Sequence, residues 1–391
     1  MAITILQTPS TVSLSQSPMV FSISSSTAVA NSGFEYVCNL YIWDGSIASS
    51  GSYAYQLVKY PNNAKCGIFE FGRIVNSTMT DLAQNNKSNV KFVKGDFFFR
   101  YLSGSVYVEN TGSLVSSDVY KALDGYAIFQ EPIDQDINLK TPYWPLMTDG
   151  PNSSSVFLDN RGYSGVFVSD AGPTLEPTKL VYTSNIGTTA EIALSGSAST
   201  NTSTQIQTYP IAPSEPGFPL AQIGLESYTI QAFSGSTALS SKLTHSVTCN
   251  QKYPNVRIKW KNRYGQFDYL NFNLVSRQSF NTEKRTYEPQ LGTWDSSTLS
   301  YGQADTAVQN YIVDSKLGIS VNTNWLPQDW NEILKQLLVS DEIYWVYDEP
   351  NSFVRPLTVT TSNVVFKTGV VDQLIQYQLD FTYGQGYKLI I

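Results

Sequence analysis

The sequence predicts a mainly β protein built from several β-sandwich-like domains, with a small α+β domain at its C-terminal end. Three observations support this prediction. The chain has 391 residues, enough to bury more than one core. Charged residues make up only 15% of it and aromatic residues 13%, a composition that favours strands over helices. Apolar and polar residues alternate in most segments, the pattern of strands with one buried face.

The first predicted domain covers residues 1–135. Alternating strands are predicted in "SPMVFSISS" and "FEYVCNLYIW", and a Pro-Asn-Asn turn precedes the apolar segment of "KYPNNAKCGIFEFGRIV". Two more strands, "SNVKFVKGDFFFRY" and "GSVYVENTG", are separated by turns that contain glycine. This spacing of short strands and turns is typical of a β-sandwich. Prolines 132, 142, 145 and 151 interrupt it and predict an extended connector.

The second predicted domain, residues 136–245, is rich in Ser and Thr and poor in aromatic residues. The segment "LSGSASTNTSTQ" is its extreme, and "SGVFVSD", "TKLVYTS" and "EIALSG" are its predicted strands. Residues 210–219 carry four prolines and predict a second extended connector.

The third predicted domain, residues 246–391, combines strands with a helix over 327–339. Five apolar residues follow the helical spacing i, i+3, i+4, i+7 and i+8: Trp330, Ile333, Leu334, Leu337 and Leu338. A strand, a Glu-Pro-Asn turn and another strand are predicted after the helix, and "DQLIQYQLDFTYG" predicts a last strand.

A hairpin over 256–274 is the most distinctive segment, "VRIKWKNRYGQFDYLNFNL". In its first strand Arg257, Lys259 and Lys261 alternate with apolar residues, and "NRYG" is a turn sequence. One interpretation is a core hairpin whose long side chains cover a neighbour. The other is a contact surface, for a glycan, a nucleic acid or a protein. The sequence leaves both open.

Several motifs resemble structural proteins of tailed phages that infect Bacteroidetes, of the crAss-like type. The hairpin matches a W-x-N-x-x-G-x-x-D-Y-x-x-F pattern. Three other segments are similar to the same group and follow in the same order: "KYPNNAKCGIFEFGRIV", "LDGYAIFQEPID" and the helix-strand-strand end, "ILKQLLVSDEIYWVYDEPNSFVRPLTVTTSNVVFKT". The residues expected to form an interaction motif in the hairpin are Arg257, Lys259, Trp260, Asn262, Gly265, Asp268, Tyr269 and Phe272.

The resemblance implies a non-catalytic virion protein that forms a ring in the tail or neck, through which DNA or ejected proteins pass. Its expected partners are copies of itself and adjoining tail, neck or portal proteins. In such a ring, the connectors 132–151 and 210–219 are expected to act as extended arms that clamp an adjacent subunit. No cofactor and no catalytic residue are implied. A net charge of -7 agrees with a channel that does not bind nucleic acid stably. We therefore expect synthesis in the host cytoplasm and assembly into the virion.

The residue types argue against most catalytic chemistry. The only histidine is His245, and the three cysteines, Cys38, Cys66 and Cys249, form no CxxC pair, so neither a zinc site nor a disulfide framework is predicted. The N-terminal segment lacks the pattern of a signal peptide, and no apolar run is long enough to span a membrane, so no membrane insertion is expected.

Two alternative functions remain. A glycosidase-like depolymerase needs two nearby carboxylates, and Asp134 with Asp136 or Asp348 with Glu349 are the close pairs in sequence. A receptor- or glycan-binding tail protein would stack sugars on aromatic rings. Its candidate residues are Tyr143, Trp144, Trp294 and Trp325.

Overall fold

A computed structural model describes residues 3–26, 33–44, 53–79, 90–127, 146–168, 177–194, 206–248, 252–290, 292–295, 298–300, 302–347, 353–366 and 374–384. Contacts divide the chain into two compact units. Unit 1 contains Met1–Cys249, Trp260–Tyr269 and Glu332–Asp341, and unit 2 contains Asn250–Lys259, Leu270–Asn331 and Glu342–Ile391. The predicted boundary after residue 135 lies outside the described residues, and both sides of it belong to unit 1.

The predicted mainly β fold is confirmed. The first elements of unit 1 are β1 (Ile3–Gln7), β2 (Val12–Leu14), β3 (Val20–Ser25), β4 (Glu35–Asp44), β5 (Tyr55–Lys59), β6 (Cys66–Glu70), α1 (Gly72–Asn76), β7 (Val90–Ser103), β8 (Val106–Ser116) and β9 (Tyr120–Leu123). Each strand predicted in this part of the chain is present. The short helix α1 was not predicted, because "GRIVN" continues the apolar run of β6.

The next strands of unit 1 are β10 (Ser153–Val156), β11 (Tyr163–Phe167), β12 (Lys179–Ser184), β13 (Thr189–Ala193), β14 (Ile206–Pro210), β15 (Ser227–Ser234), β16 (Thr237–Ala238) and β17 (Leu243–Val247). The three strands predicted in the Ser/Thr-rich segment correspond to β11, β12 and β13.

The remaining elements are β18 (Val256–Lys261), β19 (Phe267–Phe272), β20 (Arg277–Tyr287), β21 (Thr293–Asp295), β22 (Thr298–Ser300), β23 (Gln309–Asn322), β24 (Leu326–Pro327), α2 (Trp330–Val339), β25 (Ile343–Tyr347), β26 (Phe353–Val359), β27 (Leu374–Ile375) and β28 (Gln378–Tyr383). Helix α2 begins three residues later than the predicted start at 327, because Leu326 and Pro327 pair with β27.

Two sheets enclose the N-terminal core of unit 1. One has the order β1-β3-β6, and the other has the order β2-β9-β7-β4-β5 with β8 also paired to β7. Phe21 from the first sheet contacts Phe97 and Tyr120 from the second, with ring centroids 5.4 and 5.2 Å apart. Because both sheets contribute aromatic side chains to one interior, this part has the layered arrangement of a sandwich.

A second core of unit 1 lies between the sheet β10-β17-β15-β12-β13 and the two-stranded sheet β11-β14. Tyr182 and Tyr228 are buried there, and their hydroxyls donate hydrogen bonds to the carbonyls of Pro210 (2.8 Å) and Ile211 (2.5 Å). The carboxylate of Glu215 accepts a hydrogen bond of 2.7 Å from the Gly162 amide. The connector 210–219, expected to clamp a neighbouring subunit, is therefore folded onto its own unit.

Unit 2 is built on a sheet in which β25, β26, β28, β23 and β20 follow one another. The parts of β18 and β19 that belong to unit 2, residues 256–259 and 270–272, continue this sheet beyond β25. One face of the sheet is apolar. Ile319 of β23 pairs with Phe381 of β28, Val321 pairs with Leu379, and all four side chains are buried. This face makes the core of unit 2, and the opposite face carries polar side chains.

Candidate functional site

The residues of the predicted interaction motif lie in the protein interior. Trp260 and Phe272 have no exposed surface, Asn262 is 1% exposed and Arg257 is 2% exposed. Lys259, Gly265 and Asp268 are also buried, and Tyr269 is half-buried. Both faces of β18 are covered, including the face with the three cations. Of the two interpretations of the hairpin, the structure favours the core hairpin.

Asn262 organises the turn of this hairpin. Its side-chain oxygen accepts hydrogen bonds of 3.0 Å from the backbone amides of Tyr264 and Gln266. Its Nδ2 donates to the Met147 carbonyl at 2.9 Å and to Oδ2 of Asp268 at 3.1 Å. One amide side chain thus satisfies two turn amides and fixes the turn, which we call the hairpin tip (260–269), to a segment remote in sequence.

Gly265 fits a position that a larger residue cannot occupy. Its φ is +74°, in the left-handed region where glycine is favoured. A Cβ at this position would lie 2.0 Å from the carbonyl oxygen of Asp124. The backbone of residues 124–126 packs directly on the tip, and the amide of Tyr126 donates to the Arg263 carbonyl at 3.0 Å.

Asp268 is a buried carboxyl held by two donors. Thr148 Oγ1 donates to its Oδ1 at 2.7 Å, and Asn262 donates to its Oδ2. Burial raises the pKa of Asp268 to about 7, against the opposing effect of the two hydrogen bonds. The motif residues Asn262 and Asp268 are therefore one hydrogen-bonded unit inside the protein.

Arg263 joins the hairpin tip to helix α2 and to Asp149. Its guanidinium forms an ion pair with Asp149, and its Nη2 lies 3.2 Å from Oδ1 of that residue. Tyr264 donates to the same Oδ1 at 2.9 Å, and Gln336 Nε2 donates to Oδ2 at 3.0 Å. All four groups belong to unit 1. Asp149 lies within the Pro-rich connector 132–151, and no sequence pattern identifies it as a partner of Arg263.

The three cations of β18 have partners within their own units. In unit 1, Lys261 Nζ lies 3.4 Å from both carboxylate oxygens of Asp124 and 3.0 Å from Oδ2 of Asp341. Burial raises the pKa of Asp124, and the Lys261 ammonium opposes this effect. In unit 2, Arg257 Nη1 donates to Asn271 at 3.0 Å, and the Lys259 ammonium lies 5.4 Å from the centre of the Tyr344 ring.

A second hairpin has the opposite environment. We call β20 together with β23 the arm. All eleven residues of β20 are exposed, although the strand is paired with β23 along its whole length. Strand β28 pairs with β23 only from Gly318 to Asn322. From Phe280 to Tyr287, the described part of the chain provides no third strand for the arm.

The two faces of the arm differ in character. On one face, Phe280 pairs with Leu317 and Lys284 pairs with Val313. On the other face Glu283 lies directly opposite Asp314, and both are exposed. Like charges in this position repel each other. Between Arg285 and Thr286 the register shifts, because β23 contains one additional residue, Tyr311.

A polar trough of about 300 Å³ lies where the arm joins the sheet. Its lining includes Arg277, Lys316, Asp380, Thr382 and Gly318, where a Cβ would lie 2.6 Å from the Ser279 hydroxyl. Nine of its thirteen lining residues have polar or charged side chains. The trough lacks the exposed aromatic platform that sugar-binding sites use, since its one ring, Phe381, is buried.

Among the other candidate residues, the structure describes His245, Trp325, Cys38 and Cys66. His245 is 9% exposed in β17, lies 2.6 Å from the Ser154 hydroxyl and stacks on Tyr228. Trp325 is 57% exposed. The remaining candidates lie outside the residues, or side chains, that the structure describes: Asp134, Asp136, Tyr143, Trp144, Cys249, Trp294, Asp348 and Glu349. Cys38 and Cys66 are free, and burial raises the pKa of the Cys38 thiol.

The described residues contain no group of three or more His, Cys, Asp or Glu side chains placed to hold a metal ion. No helix in the same part of the chain has the length and apolar character needed to cross a bilayer. Neither a protein-family model nor a curated protein matches the chain.

Proposed function

We propose that this chain is a non-catalytic structural protein of a tailed-phage virion, and that copies of it form a ring in the tail or neck. The observation that carries the proposal is the arm. An isolated two-stranded hairpin is marginally stable in water, because it lacks a core of its own. A hairpin of this length is expected to gain its stability from another molecule that covers it.

Exposed apolar side chains on the arm support an assembly role. Phe280 is 53% exposed, Tyr287 46% and Tyr311 57%, and Val308, which precedes β23, is 53% exposed. A monomeric protein gains little from such side chains on a projecting element, whereas neighbouring subunits can bury them. The family-like motifs of the sequence give the kind of particle, a ring that continues the channel from portal to tail. The net charge of -7 suits a channel through which DNA or ejected proteins pass.

A catalytic function has less support. His245 contacts the Ser154 hydroxyl, and its imidazole is buried against Tyr228. A reactive serine needs an accessible base and a site for the oxyanion. A receptor- or glycan-binding role would depend on Trp325, whose exposed ring is the described candidate for sugar stacking.

The test compares the complete chain with a shortened-arm variant in which residues 284–313 are replaced by Asn-Gly. The complete protein, alone or with the adjoining tail and neck proteins, should form large symmetric rings in light scattering and negative-stain images. The variant should fold and remain small. Ile186→Ser and Ile223→Ser serve as controls, because these residues of unit 1 are 71% and 93% exposed but lie outside the arm.

Two outcomes would overturn the proposal. One is ring formation by the shortened-arm variant at the level of the complete chain. The other is release of reducing sugar from bacterial surface polysaccharide or peptidoglycan that disappears in Asp134→Asn or Glu349→Gln, because those carboxylates belong to the depolymerase alternative.

A further inference from the structure

Strand β20 ends its sheet with an open edge. Among the described residues, β23 pairs with one side of β20, and no strand pairs with the other side. The open edge is 11 residues long, and alternate residues along it direct their backbone amides and carbonyls away from β23. Edges of this kind bind another strand unless charge or irregular geometry prevents it. The charges on β20 therefore indicate which strand it accepts.

Pairing of β20 with β20 of a second copy has few possible registers. In an antiparallel pair related by a two-fold axis, opposite residues lie on the same face of the sheet, and both direct their backbone groups either towards or away from the partner strand. The axis must therefore pass midway between the two copies of one residue, so that this residue lies opposite itself. An axis at Asn281 places Arg277 opposite Arg285 of the second copy. An axis at Glu283 places the two copies of Glu283 opposite each other, and an axis at Lys284 places the two copies of Lys284 opposite each other. Each of these registers puts like charges together.

An axis at Thr282 pairs the complete strand without any like-charge contact. Phe280 then lies opposite Lys284 and Arg277 opposite Tyr287, so that each aromatic ring of β20 faces a cation. Glu283 lies opposite Asn281, whose amide can donate to the carboxylate. The remaining pairs are Gln278 with Thr286 and Ser279 with Arg285. An axis at Phe280 also avoids like charges, but it leaves the last part of the strand unpaired.

We propose that two copies of this chain associate through their β20 edges, antiparallel and centred on Thr282, to form a four-stranded sheet in the order β23-β20-β20-β23. The apolar face of the arm continues across the contact, because Phe280, Val313 and Leu317 of both copies lie on the same side. The inference rests on the proposed function only in treating the arm as an assembly contact. Rings joined by such pairs have dihedral symmetry.

A single cysteine at the centre tests the pairing. Thr282→Cys is introduced into the complete chain with Cys66→Ser and Cys249→Ser, while Cys38 is retained because it is buried. Directly opposite residues of antiparallel strands have Cα atoms about 4.5 to 5.5 Å apart, within the range for a disulfide. Mild oxidation, or a short bismaleimide, should therefore yield covalent dimer from the single variant.

Thr286→Cys in the same background is the matched control. In the proposed register the two copies of residue 286 are separated by about 27 Å, from a rise of about 3.4 Å per residue. This variant should give at least tenfold less dimer, and the double variant Gln278→Cys, Thr286→Cys should restore cross-linking. Equal yields from Thr282→Cys and Thr286→Cys, or dimer from Thr286→Cys alone, would overturn the register.

A charge change provides a second test that does not depend on oxidation. Asn281→Glu places the new carboxylate opposite Glu283 of the second copy, whereas within its own arm it faces Lys316. The dimer Kd measured by analytical ultracentrifugation should rise about tenfold, because two like-charge pairs form. Asn281→Gln should leave it unchanged. An unchanged Kd in Asn281→Glu would contradict the pairing.

The results separate this inference from the proposed function. Dimers cross-linked through Thr282→Cys without any larger particle would support the pairing and contradict the ring. Rings that form without cross-linking at this position would support the ring and contradict the pairing.

Discussion

The hairpin tip and the arm are both antiparallel hairpins with polar and charged side chains, yet their surroundings are opposite. The tip carries Lys261, Arg263 and Asp268 in the interior, where Asp124, Asp149 and Thr148 supply partners. The arm carries Glu283 opposite Asp314 in solvent. The comparison shows that charged residues alternating along a strand do not reveal whether that strand is buried. Burial depends on whether distant parts of the chain supply partners for the charges.

The largest effect is expected from truncation of the tip's central side chain. Trp260 has no exposed surface, so Trp260→Ala should lower the free energy of unfolding by about 3 to 5 kcal/mol through the cavity that it leaves. Phe280→Ala, an aromatic truncation on the exposed arm, should change it by less than about 1 kcal/mol. Urea denaturation followed by circular dichroism measures both. Equal losses in the two variants would show that the arm is as well packed as the tip.

A substitution in the turn tests the close approach of residues 124–126. Gly265→Ala should destabilise by roughly 2 to 4 kcal/mol, because it adds a left-handed backbone penalty and a clash with the Asp124 carbonyl. Gly104→Ala is the matched control. Gly104 has a φ of +69°, and no atom lies within 4 Å of the position that its Cβ would take, so only the backbone penalty of about 1 kcal/mol applies. Similar thermal midpoints for the two variants would contradict the packing of the tip.

The buried carboxyl predicts a pH dependence of the tip. The pKa of Asp268 is about 7 in the folded protein and about 4 in an unfolded chain, so the folded state binds more protons between these values. Its contribution to stability is full below pH 4 and is lost as the pH rises to 7. Ionisation of Asp268 should therefore lower the free energy of unfolding by roughly 2 to 4 kcal/mol between pH 4 and pH 7.

Asp268→Asn removes the ionisation and should flatten this part of the profile. Denaturation of the wild type and the variant at pH 5 and pH 8 makes the comparison. The charge of Asp149 also raises the pKa of Asp268 but contributes less than burial, so Asp149→Asn should reduce the slope less. An identical slope in Asp268→Asn would assign the pH dependence to other groups.

The smallest effect is expected on the arm. Glu283→Lys replaces repulsion with attraction across the pair and should stabilise the arm by about 0.5 kcal/mol. Slower hydrogen exchange of the β20 and β23 amides would report it, while the exchange of tip amides should remain unchanged. Glu283→Gln, which removes the repulsion only, should have an intermediate effect. Faster exchange in Glu283→Lys would indicate that the carboxylate already has a favourable partner.

Much of the architecture could be predicted because strands leave a local signal. The alternation in "SPMVFSISS" and "FEYVCNLYIW" indicates β3 and β4, and the helical spacing of Trp330, Ile333, Leu334 and Leu337 indicates α2. The turn at "NRYG" was also predicted. These features depend on neighbours along the chain, which the sequence displays directly.

The candidate site could be predicted only in part, because burial of a charge depends on distant partners. Lys261 meets a carboxylate 137 residues away, and Arg263 meets one 114 residues away. No local pattern links these positions. The arm was missed for a different reason. Segment 277–287 has charged residues on both faces, which is unusual for a strand within a sheet, and this signal alone indicates exposure rather than pairing.

The additional residue in the arm lies on β23, and this placement has a consequence for polymer growth. Strand β20 keeps regular alternation along its open edge, whereas the edge of β23 is distorted at Tyr311. Once two β20 edges have joined, the outer strands of the four-stranded sheet carry this distortion and cannot template a further flat strand. Pairing of strands through the arm therefore stops at the four strands of two copies, and this contact does not extend into a fibre.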